Sequence, residues 1–165
     1  MTPYAGVSGF GGANIDALAS ARQYVNQGKR TKDGVRCPCC EQFCKVYVRL
    51  ITSTMARWLI ELVRRHARHS RWYSASEDWS VAITRGSGDF AKLRWWGLIE
   101  EGTGDDEGRW KPTIDGIDFA YNRSVVTSHV LLYNDSLQGF QGDEIGIEVA
   151  LGNKFSYAEL WAEAF

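Results

Sequence analysis

Residues 89–119 limit the fold of this chain more strongly than any other segment. They read DFAKLRWWGLIEEGTGDDEGRWKPTIDGIDF, which predicts an amphipathic helix that ends at Trp96 and Gly97. Residues 97–100 then turn into a strand, residues 102–108 form a short polar loop, and residues 109–111 form a returning strand. The segment therefore predicts a helix followed by a two-stranded hairpin.

The residues after the hairpin predict a second helix. Thr113 is placed to cap it, and the helix would carry Gly116 and Phe119 inward. Many bacterial and phage winged-helix proteins have the pattern L-x-x-x-G-L-[IV]-x … G-x-W-x-[LP]-T-x-x-G-x-x-F here, and this segment resembles them. The matching residues are Leu93, Gly97, Leu98, Ile99, Gly108, Trp110, Pro112, Thr113, Gly116 and Phe119. The resemblance implies a winged helix-turn-helix, and it points towards a nucleic-acid-binding or protein-docking module and away from an enzyme.

The residues before this segment complete the order of elements. A long helix is predicted within KVYVRLITSTMARWLIELVRRHARH, because apolar residues recur there at three- and four-residue steps. The β-branched opening at residues 46–48 leaves a second option, a short strand with Thr52 or Ser53 starting the helix. Residues 72–84 suit a short helix, and residues 85–88 suit the turn before the next one. This order of elements is that of a winged helix.

The predicted secondary structure changes after residue 123, where strand patterns follow the helical ones. Residues 128–133 indicate a strand, residues 134–142 a loop and residues 144–149 an alternating strand. Ser156 and Glu159 form a capping-box pattern for a final helix. This extension is expected either to pack on the domain or to form a dimer interface.

The predicted fold class is α+β, with a winged helix-turn-helix core, a Cys-rich knuckle and a small C-terminal β/α extension. Three regions are expected along the chain. Residues 1–28 form an N-terminal tail and helix, residues 29–124 the knuckle and the winged helix, and residues 125–165 a strand-strand-helix extension.

The formal net charge of −1 conceals a strong asymmetry. Residues 29–73 hold eleven Lys/Arg against three Asp/Glu, whereas residues 74–165 hold seven against sixteen. A polyanion would be attracted to the first part and repelled by the second. No apolar run approaches the roughly 18 residues of a membrane-spanning helix, and the N-terminus lacks the features of a secretory signal. A cytoplasmic protein without a membrane partner is expected.

All four cysteines lie within eight residues, as Cys37, Cys39, Cys40 and Cys44. The C-P-x-C turn at residues 37–40 is typical of a zinc knuckle, in which two thiolates reach one tetrahedral ion. Two histidines three residues apart on the predicted long helix would point the same way. The predicted structural zinc site draws on Cys37, Cys40, Cys44, His66 and His69. The alternative is a cluster of free thiols beside two solvated histidines.

The predicted nucleic-acid contact lies mainly on the long helix. In a DNA-reading winged helix, the helix after the turn enters the major groove and the wing touches the neighbouring backbone. Here the wing tip at residues 105–107 carries three carboxylates, which weaken binding to phosphates. The candidate nucleic-acid-binding residues are Lys92, Arg94, Arg57, Arg64, Arg65 and Arg68. The alternatives are an acidic protein partner and a solvated helix face that balances the acidic half of the chain.

Three features together resemble small proteins of tailed bacteriophages. They are the C-P-x-C knuckle, the Tyr- and Arg-containing segment that leads into the long helix, and the stretch A-K-L-R-x-W-G-L-I-E. The matching residues are Cys37, Pro38, Cys40, Tyr47, Arg49 and 91–100, and the likeness spans residues 36–123. It implies a phage accessory protein that acts in the host cytoplasm, and it supplies no catalytic residues.

The sequence thus predicts a non-enzymatic, phage-encoded winged-helix protein that contacts nucleic acid through a basic helix and acts as a regulator. The alternative is a protein-interaction module that docks on a host protein and modulates it without binding DNA. No catalytic residue is assigned, because the three histidines and scattered carboxylates form no nucleophile–base pair at a recognised spacing.

Overall fold

The computed structural model describes residues 11–79 and 87–162, and these form a mixed α+β fold, as predicted. The α-helices are α1 (Gly11–Gly28), α2 (Ser53–Arg68), α3 (Ile114–Ala120), α4 (Ile147–Leu151) and α5 (Tyr157–Ala162). Two 3-10 helices span Ser87–Trp96 and Gly104–Asp106. The strands are β1 (Val35–Arg36), β2 (Phe43–Cys44), β3 (Tyr47–Leu50), β4 (Tyr73–Ser74), β5 (Ile99–Glu101), β6 (Arg109–Pro112), β7 (Val126–Tyr133) and β8 (Ser136–Ile145). Within the described part of the chain, no helix has both the length and the apolar character needed to cross a membrane.

The chain divides into two compact units. The smaller unit combines Met1–Tyr47 with Leu132–Gln138, and the larger unit combines Val48–Leu131 with Gly139–Phe165. Most of the predicted N-terminal tail and half of the predicted turn at residues 85–88 lie outside the described residues. Each unit has its own internal packing.

The smaller unit is built on α1 and an antiparallel hairpin of β1 and β2. Val35 pairs with Cys44, and Arg36 pairs with Phe43. The Cys37 N–H donates to the Gln42 carbonyl at 2.8 Å, which continues the ladder into the cysteine loop. The hairpin therefore gathers all four cysteines at or next to its turn.

The larger unit is organised around α2. Thr52 caps this helix, because its hydroxyl accepts a hydrogen bond from the Met55 N–H at 3.3 Å. The option of a helix that starts at Thr52 or Ser53 after a short strand is thus confirmed. Every residue from Trp58 to Arg64 is buried, and α2 packs against β6, the 3-10 helix at Ser87–Trp96, α3, α4 and α5. The helix is therefore the centre of the core, and its middle two turns are enclosed on all sides.

The segment Ser87–Trp96 is a 3-10 helix, where an amphipathic α-helix was predicted over residues 89–96. Phe90, Leu93 and Trp96 are buried, so every third residue points inward. A 3-10 helix has three residues per turn, which places these side chains in one row. Phe90 stacks on Trp58 of α2 with ring centroids 4.2 Å apart.

The predicted strand pair after this helix is confirmed and belongs to a three-stranded sheet of order β4-β6-β5. Both pairings are antiparallel, with Tyr73 opposite Trp110 and Ile99 opposite Pro112. The short helix predicted at residues 72–84 is wrong at its start, because Tyr73 and Ser74 form β4. Residues 80–86 lie outside the described part of the chain.

The start of α3 is fixed to the turn that precedes β5. The Thr113 hydroxyl accepts a hydrogen bond from the Gly116 N–H at 3.0 Å and donates to the Gly97 carbonyl at 2.5 Å. The Thr113 N–H donates to the Leu98 carbonyl at 3.2 Å. The predicted cap and the inward placement of Gly116 and Phe119 are therefore confirmed.

The C-terminal region differs from its predicted boundaries. The turn between β7 and β8 is formed by Asn134 and Asp135, both with positive φ, as a tight two-residue hairpin turn requires. Strand β8 then covers most of the predicted loop. Residues 147–151 form α4, where a strand was predicted. The final helix begins after Ser156, whose hydroxyl accepts a hydrogen bond from the Glu159 N–H at 3.4 Å.

One partly buried hydrogen bond holds the 3-10 helix to β7. The Trp96 indole N–H donates to the Thr127 carbonyl at 2.6 Å. We expect Trp96→Phe to lower the free energy of unfolding by about 1.5 kcal/mol, because the carbonyl loses its donor. Urea denaturation followed by circular dichroism measures the change. Trp95→Phe, at the half-buried neighbouring position, is the control and should cost less than about 0.5 kcal/mol. Equal effects of the two changes would contradict this account.

Candidate functional site: the cysteine groove and the charged surfaces

The four cysteines line one groove in the smaller unit. The groove has a volume of about 250 Å³ and lies between the hairpin and one side of α1. Its other lining residues are Leu18, Ala21, Arg22, Val25, Asn26, Gln42 and Tyr133. Arg22 and Tyr133 were not among the predicted site residues, because nothing in their local sequence marks them as neighbours of the cysteines.

Cys37 and Cys40 both lie in the turn between β1 and β2. The backbone N–H groups of Cys39 and Cys40 and, to a smaller extent, the thiols of these residues act as hydrogen-bond donors towards the Cys37 sulfur. These donors stabilise negative charge on the sulfur, and the pKa of Cys37 is lowered, chiefly by the Cys39 N–H. The turn therefore makes ionisation of the Cys37 thiol easier than that of an ordinary thiol.

Cys44 makes different contacts from the other three cysteines. It is buried on β2, and its thiol donates to the Gln42 carbonyl at 3.5 Å. A hydrogen bond with the Cys44 sulfur, together with burial, raises the pKa of the Tyr133 hydroxyl. The contacts of Cys44 are thus directed at Gln42 and Tyr133.

The five predicted zinc ligands do not all fall in one unit. Cys37, Cys40 and Cys44 belong to the smaller unit, whereas His66 and His69 belong to the larger one. The His66 ring Nδ1 lies 3.4 Å from the Arg71 carbonyl, and His69 is the exposed C-cap of α2. Across the residues that the structure describes, no three His, Cys, Asp or Glu side chains are arranged to hold one metal ion. The zinc site therefore stays a prediction.

Two of the candidate nucleic-acid-binding arginines share one carboxylate on α2. Glu61 and Arg64 are buried, and the Arg64 guanidinium lies 3.5 Å from the Glu61 carboxylate. The Arg65 guanidinium donates to the same carboxylate at 3.1 Å and stacks over the Trp79 ring at 5.2 Å. Both ion pairs lie within α2, and a phosphate would have to compete with Glu61 for these two cations.

The remaining candidates also lie against groups of the larger unit. Lys92 is ion-paired with Asp89, and the Arg94 guanidinium lies 3.7 Å from the Glu101 carboxylate. The Arg57 guanidinium lies over the Phe155 ring at 5.0 Å. Arg68 is exposed in the last turn of α2. The six predicted residues therefore do not form one continuous basic face with free charge.

The loop between β5 and β6 is acidic and exposed. Asp105 and Glu107 are exposed at its tip, and Asp106 lies 3.5 Å from the Arg109 guanidinium. Glu100 and Glu101 extend the acidic surface along β5, each beside a single cation. The Coulomb potential of this loop would repel a phosphate backbone.

A second groove, of about 440 Å³, lies beside this surface in the larger unit. The Lys111 ammonium stacks over the Trp72 ring at 4.4 Å and pairs with Glu100 at 3.1 Å. Ile114, the first residue of α3, lines the groove and has 79% of its surface exposed. No sequence pattern marks this groove, because its walls come from segments that are distant along the chain and meet only in the folded sheet.

Comparison with known proteins gives no assignment. No protein-family model, no curated protein and no solved structure matches this chain.

Proposed function

We propose that the larger unit is a winged helix-turn-helix and that the protein is a non-enzymatic module that docks on another protein. The order of elements supports the fold. Helix α2 is followed by β4, then by the 3-10 helix at Ser87–Trp96, and then by the antiparallel pair β5 and β6. The sheet order β4-β6-β5 places the first strand beside the last, and the loop at residues 102–108 occupies the place of the wing.

The ion pairs formed by the candidate DNA-contacting cations favour protein docking over DNA binding. Lys92 and Arg94, the cations on the helix that would enter the major groove, each lie beside a carboxylate of the same unit. Non-specific affinity for DNA grows with the number of phosphates that cations neutralise. The larger unit holds 13 Lys/Arg against 16 Asp/Glu, so its overall field also opposes a polyanion. This ion pairing is the observation that carries the proposal.

The surfaces that we assign to docking are the acidic wing at one end of the β5–β6 pair and the groove beside the exposed Ile114 at its other end. A basic protein partner suits the carboxylates of the wing, and an apolar side chain of that partner suits the groove beside Ile114. The resemblance to proteins of tailed bacteriophages makes bacterial proteins the first partners to test.

The test is quantitative affinity capture from bacterial lysate with the full chain and two matched double variants. Asp105→Lys/Glu107→Lys reverses two charges on the wing. Asp143→Lys/Glu144→Lys reverses the same two residue types on the exposed part of β8. We expect a partner that wild type and the β8 variant retain and the wing variant loses, with an affinity drop of roughly tenfold or more. Loss of the same partner by both variants would contradict a role for the wing.

Nucleic-acid binding is measured in parallel by fluorescence anisotropy with labelled duplex DNA and single-stranded RNA. The docking proposal predicts that Lys92→Glu/Arg94→Glu leaves any weak binding unchanged at about 50 and about 200 mM salt. Binding that falls steeply with salt and disappears in this variant would overturn the proposal in favour of a nucleic-acid-binding winged helix.

A further inference from the structure

The smaller unit has another groove, of about 250 Å³, in which aromatic rings are exposed. Only two residues separate β2 from β3, and alternate residues of an extended segment point to one side. Phe43, Lys45 and Tyr47 therefore line this groove together, whereas Cys44 is buried and lines the cysteine groove. We call it the aromatic groove, and its other lining residues are Gln42, Tyr133 and Asn134.

Two rings of the aromatic groove are presented to solvent. Phe43 and Tyr47 each have 46% of their surface exposed. The Phe43 ring lies over Gly34, where an added Cβ would be only 2.7 Å from the Phe43 Cζ atom. Gly34 has a φ of +70°, which glycine adopts without strain. The hairpin therefore holds an exposed ring in place, and exposed aromatic rings are surfaces on which nucleobases stack.

Cations lie next to these rings. Arg36 stands directly opposite Phe43 in the ladder of β1 and β2, so the two side chains share one face of the hairpin. The Lys29 ammonium lies 4.4 Å from the centre of the Tyr133 ring. The Lys29 carbonyl accepts the Val46 N–H at 2.6 Å, which holds the basic segment after α1 against the strands.

Carboxylates do not pair with these cations. Residues 28–47 hold five Lys/Arg against two Asp/Glu, and within the described part of the chain no ion pair includes any of these seven residues. Arg36 donates to the Glu41 backbone carbonyl at 3.0 Å, and this neutral acceptor leaves the guanidinium charge in place. Lys92 and Arg94 of the larger unit lie beside carboxylates, so the cations of the smaller unit are better placed to contact phosphates.

We propose that the aromatic groove binds single-stranded nucleic acid, with bases stacked on Phe43 and Tyr47 and phosphates beside Lys45. The two rings are about 13 Å apart along the extended chain, and Lys45 lies halfway between them. A duplex keeps its base faces stacked inside the helix, so exposed rings select a single strand. Base faces and phosphates are common to RNA and DNA, so recognition is independent of the sugar and tolerant of sequence.

The test is fluorescence anisotropy of the full chain with labelled strands of about 12 nucleotides, within the usual range of single-stranded sites. The probes are RNA, DNA of the same sequence, the matching DNA duplex and an abasic strand. We expect RNA and DNA single strands to bind alike, more tightly than the other two probes, and more weakly at about 200 than at about 50 mM salt. Phe43→Ala/Tyr47→Ala should weaken binding by about 25-fold or more, because each lost stacking contact costs about fivefold or more.

Matched variants separate stacking from an effect on the fold. Phe43→Tyr/Tyr47→Phe keeps both rings and should bind as the wild type does. Tyr24→Ala removes a ring of similar exposure from α1 and should also leave the affinity unchanged. Lys45→Glu keeps the rings but places a negative charge between them, and it should weaken binding more at about 50 than at about 200 mM salt. Circular dichroism shows whether each variant is folded.

Several outcomes would overturn the proposal. They are the absence of binding at low salt, tighter binding of the duplex, and an equal loss of affinity in the variant that keeps both rings. Displacement of the probe by polyglutamate as effectively as by unlabelled DNA would instead assign the groove to an acidic protein. Loss of binding in Lys92→Glu/Arg94→Glu but not in the alanine variant would assign it to the larger unit. The result does not depend on the docking function of the larger unit.

Discussion

Replacing Gly116 by alanine is expected to lower the free energy of unfolding by about 3 kcal/mol, the upper end of the usual cost of overpacking. A Cβ at this position would overlap the Leu98 carbonyl oxygen and lie 2.8 Å from the Leu98 carbonyl carbon. That carbonyl also accepts the Thr113 N–H, so it cannot move without loss of the contact between α3 and the turn before β5. Urea denaturation of the variant and the wild type measures the change.

The control for this prediction is Asp115→Ala, at the exposed neighbouring position of the same helix. It places the same side chain on α3 without a steric conflict and should cost about 0.5 kcal/mol, from the loss of an acidic group near the helix N-terminus. If Gly116→Ala were as mild as this control, the close approach of α3 to Leu98 would not be a feature of the folded protein.

Replacing Glu61 by glutamine is expected to cost about 3 kcal/mol, because it removes the carboxylate from a buried ion pair. The side chains of Glu61 and Arg64 are only 10% and 6% exposed. Glutamine keeps the shape of glutamate but carries no charge, so the charge of Arg64 stays in the core without its compensating carboxylate. Thermal and urea denaturation give the loss directly.

The double variant Glu61→Gln/Arg64→Met separates the cost of leaving the Arg64 charge without the Glu61 carboxylate from the cost of changed side-chain packing. Replacing both members of a buried ion pair usually costs less than removing one of them. The double variant should therefore be more stable than Glu61→Gln alone. A double variant that is less stable than the single one would show that Arg64 stabilises the core through packing and contacts independent of Glu61.

Sequence patterns predicted the elements whose signals are local. Thr113 with Gly116 three residues later, and Ser156 with Glu159, are caps whose whole geometry lies within one helical turn. The long helix and its start could also be predicted from the sequence, because a capping hydroxyl at Thr52 precedes a run of apolar residues at helical spacing.

The missed features depend on contacts between distant segments. Strand β4 is two residues long, and only its pairing with Trp110 and Arg109 makes it a strand. Gly139 and Gly142 resemble turn residues in the sequence, yet both lie within β8 at positive φ. The alternating residues 144–149 suggested a strand, but Ile147, Ala150 and Leu151 are buried at helical spacing.

The candidate site also combines features that local sequence patterns predicted with features that depend on distant segments. The spacing of the cysteines was sufficient to bring them to one turn, but their neighbours Arg22 and Tyr133 come from distant parts of the chain. The basic residues of α2 suggested an exposed stripe, because charged residues that share one face of a helix usually face solvent. In the structure, Arg64 and Arg65 instead form ion pairs with Glu61 of the same helix.

The smaller unit includes Leu132–Gln138 although the rest of it ends at Tyr47. Synthesis on the ribosome proceeds from the N-terminus, and domains generally fold once their residues have emerged. The cysteine hairpin is therefore made early but cannot acquire Tyr133, its neighbour in the groove, until the turn between β7 and β8 has been synthesised. A fragment that stops at residue 131 would lack part of the smaller unit, so the two units cannot be separated by cutting the chain at one point.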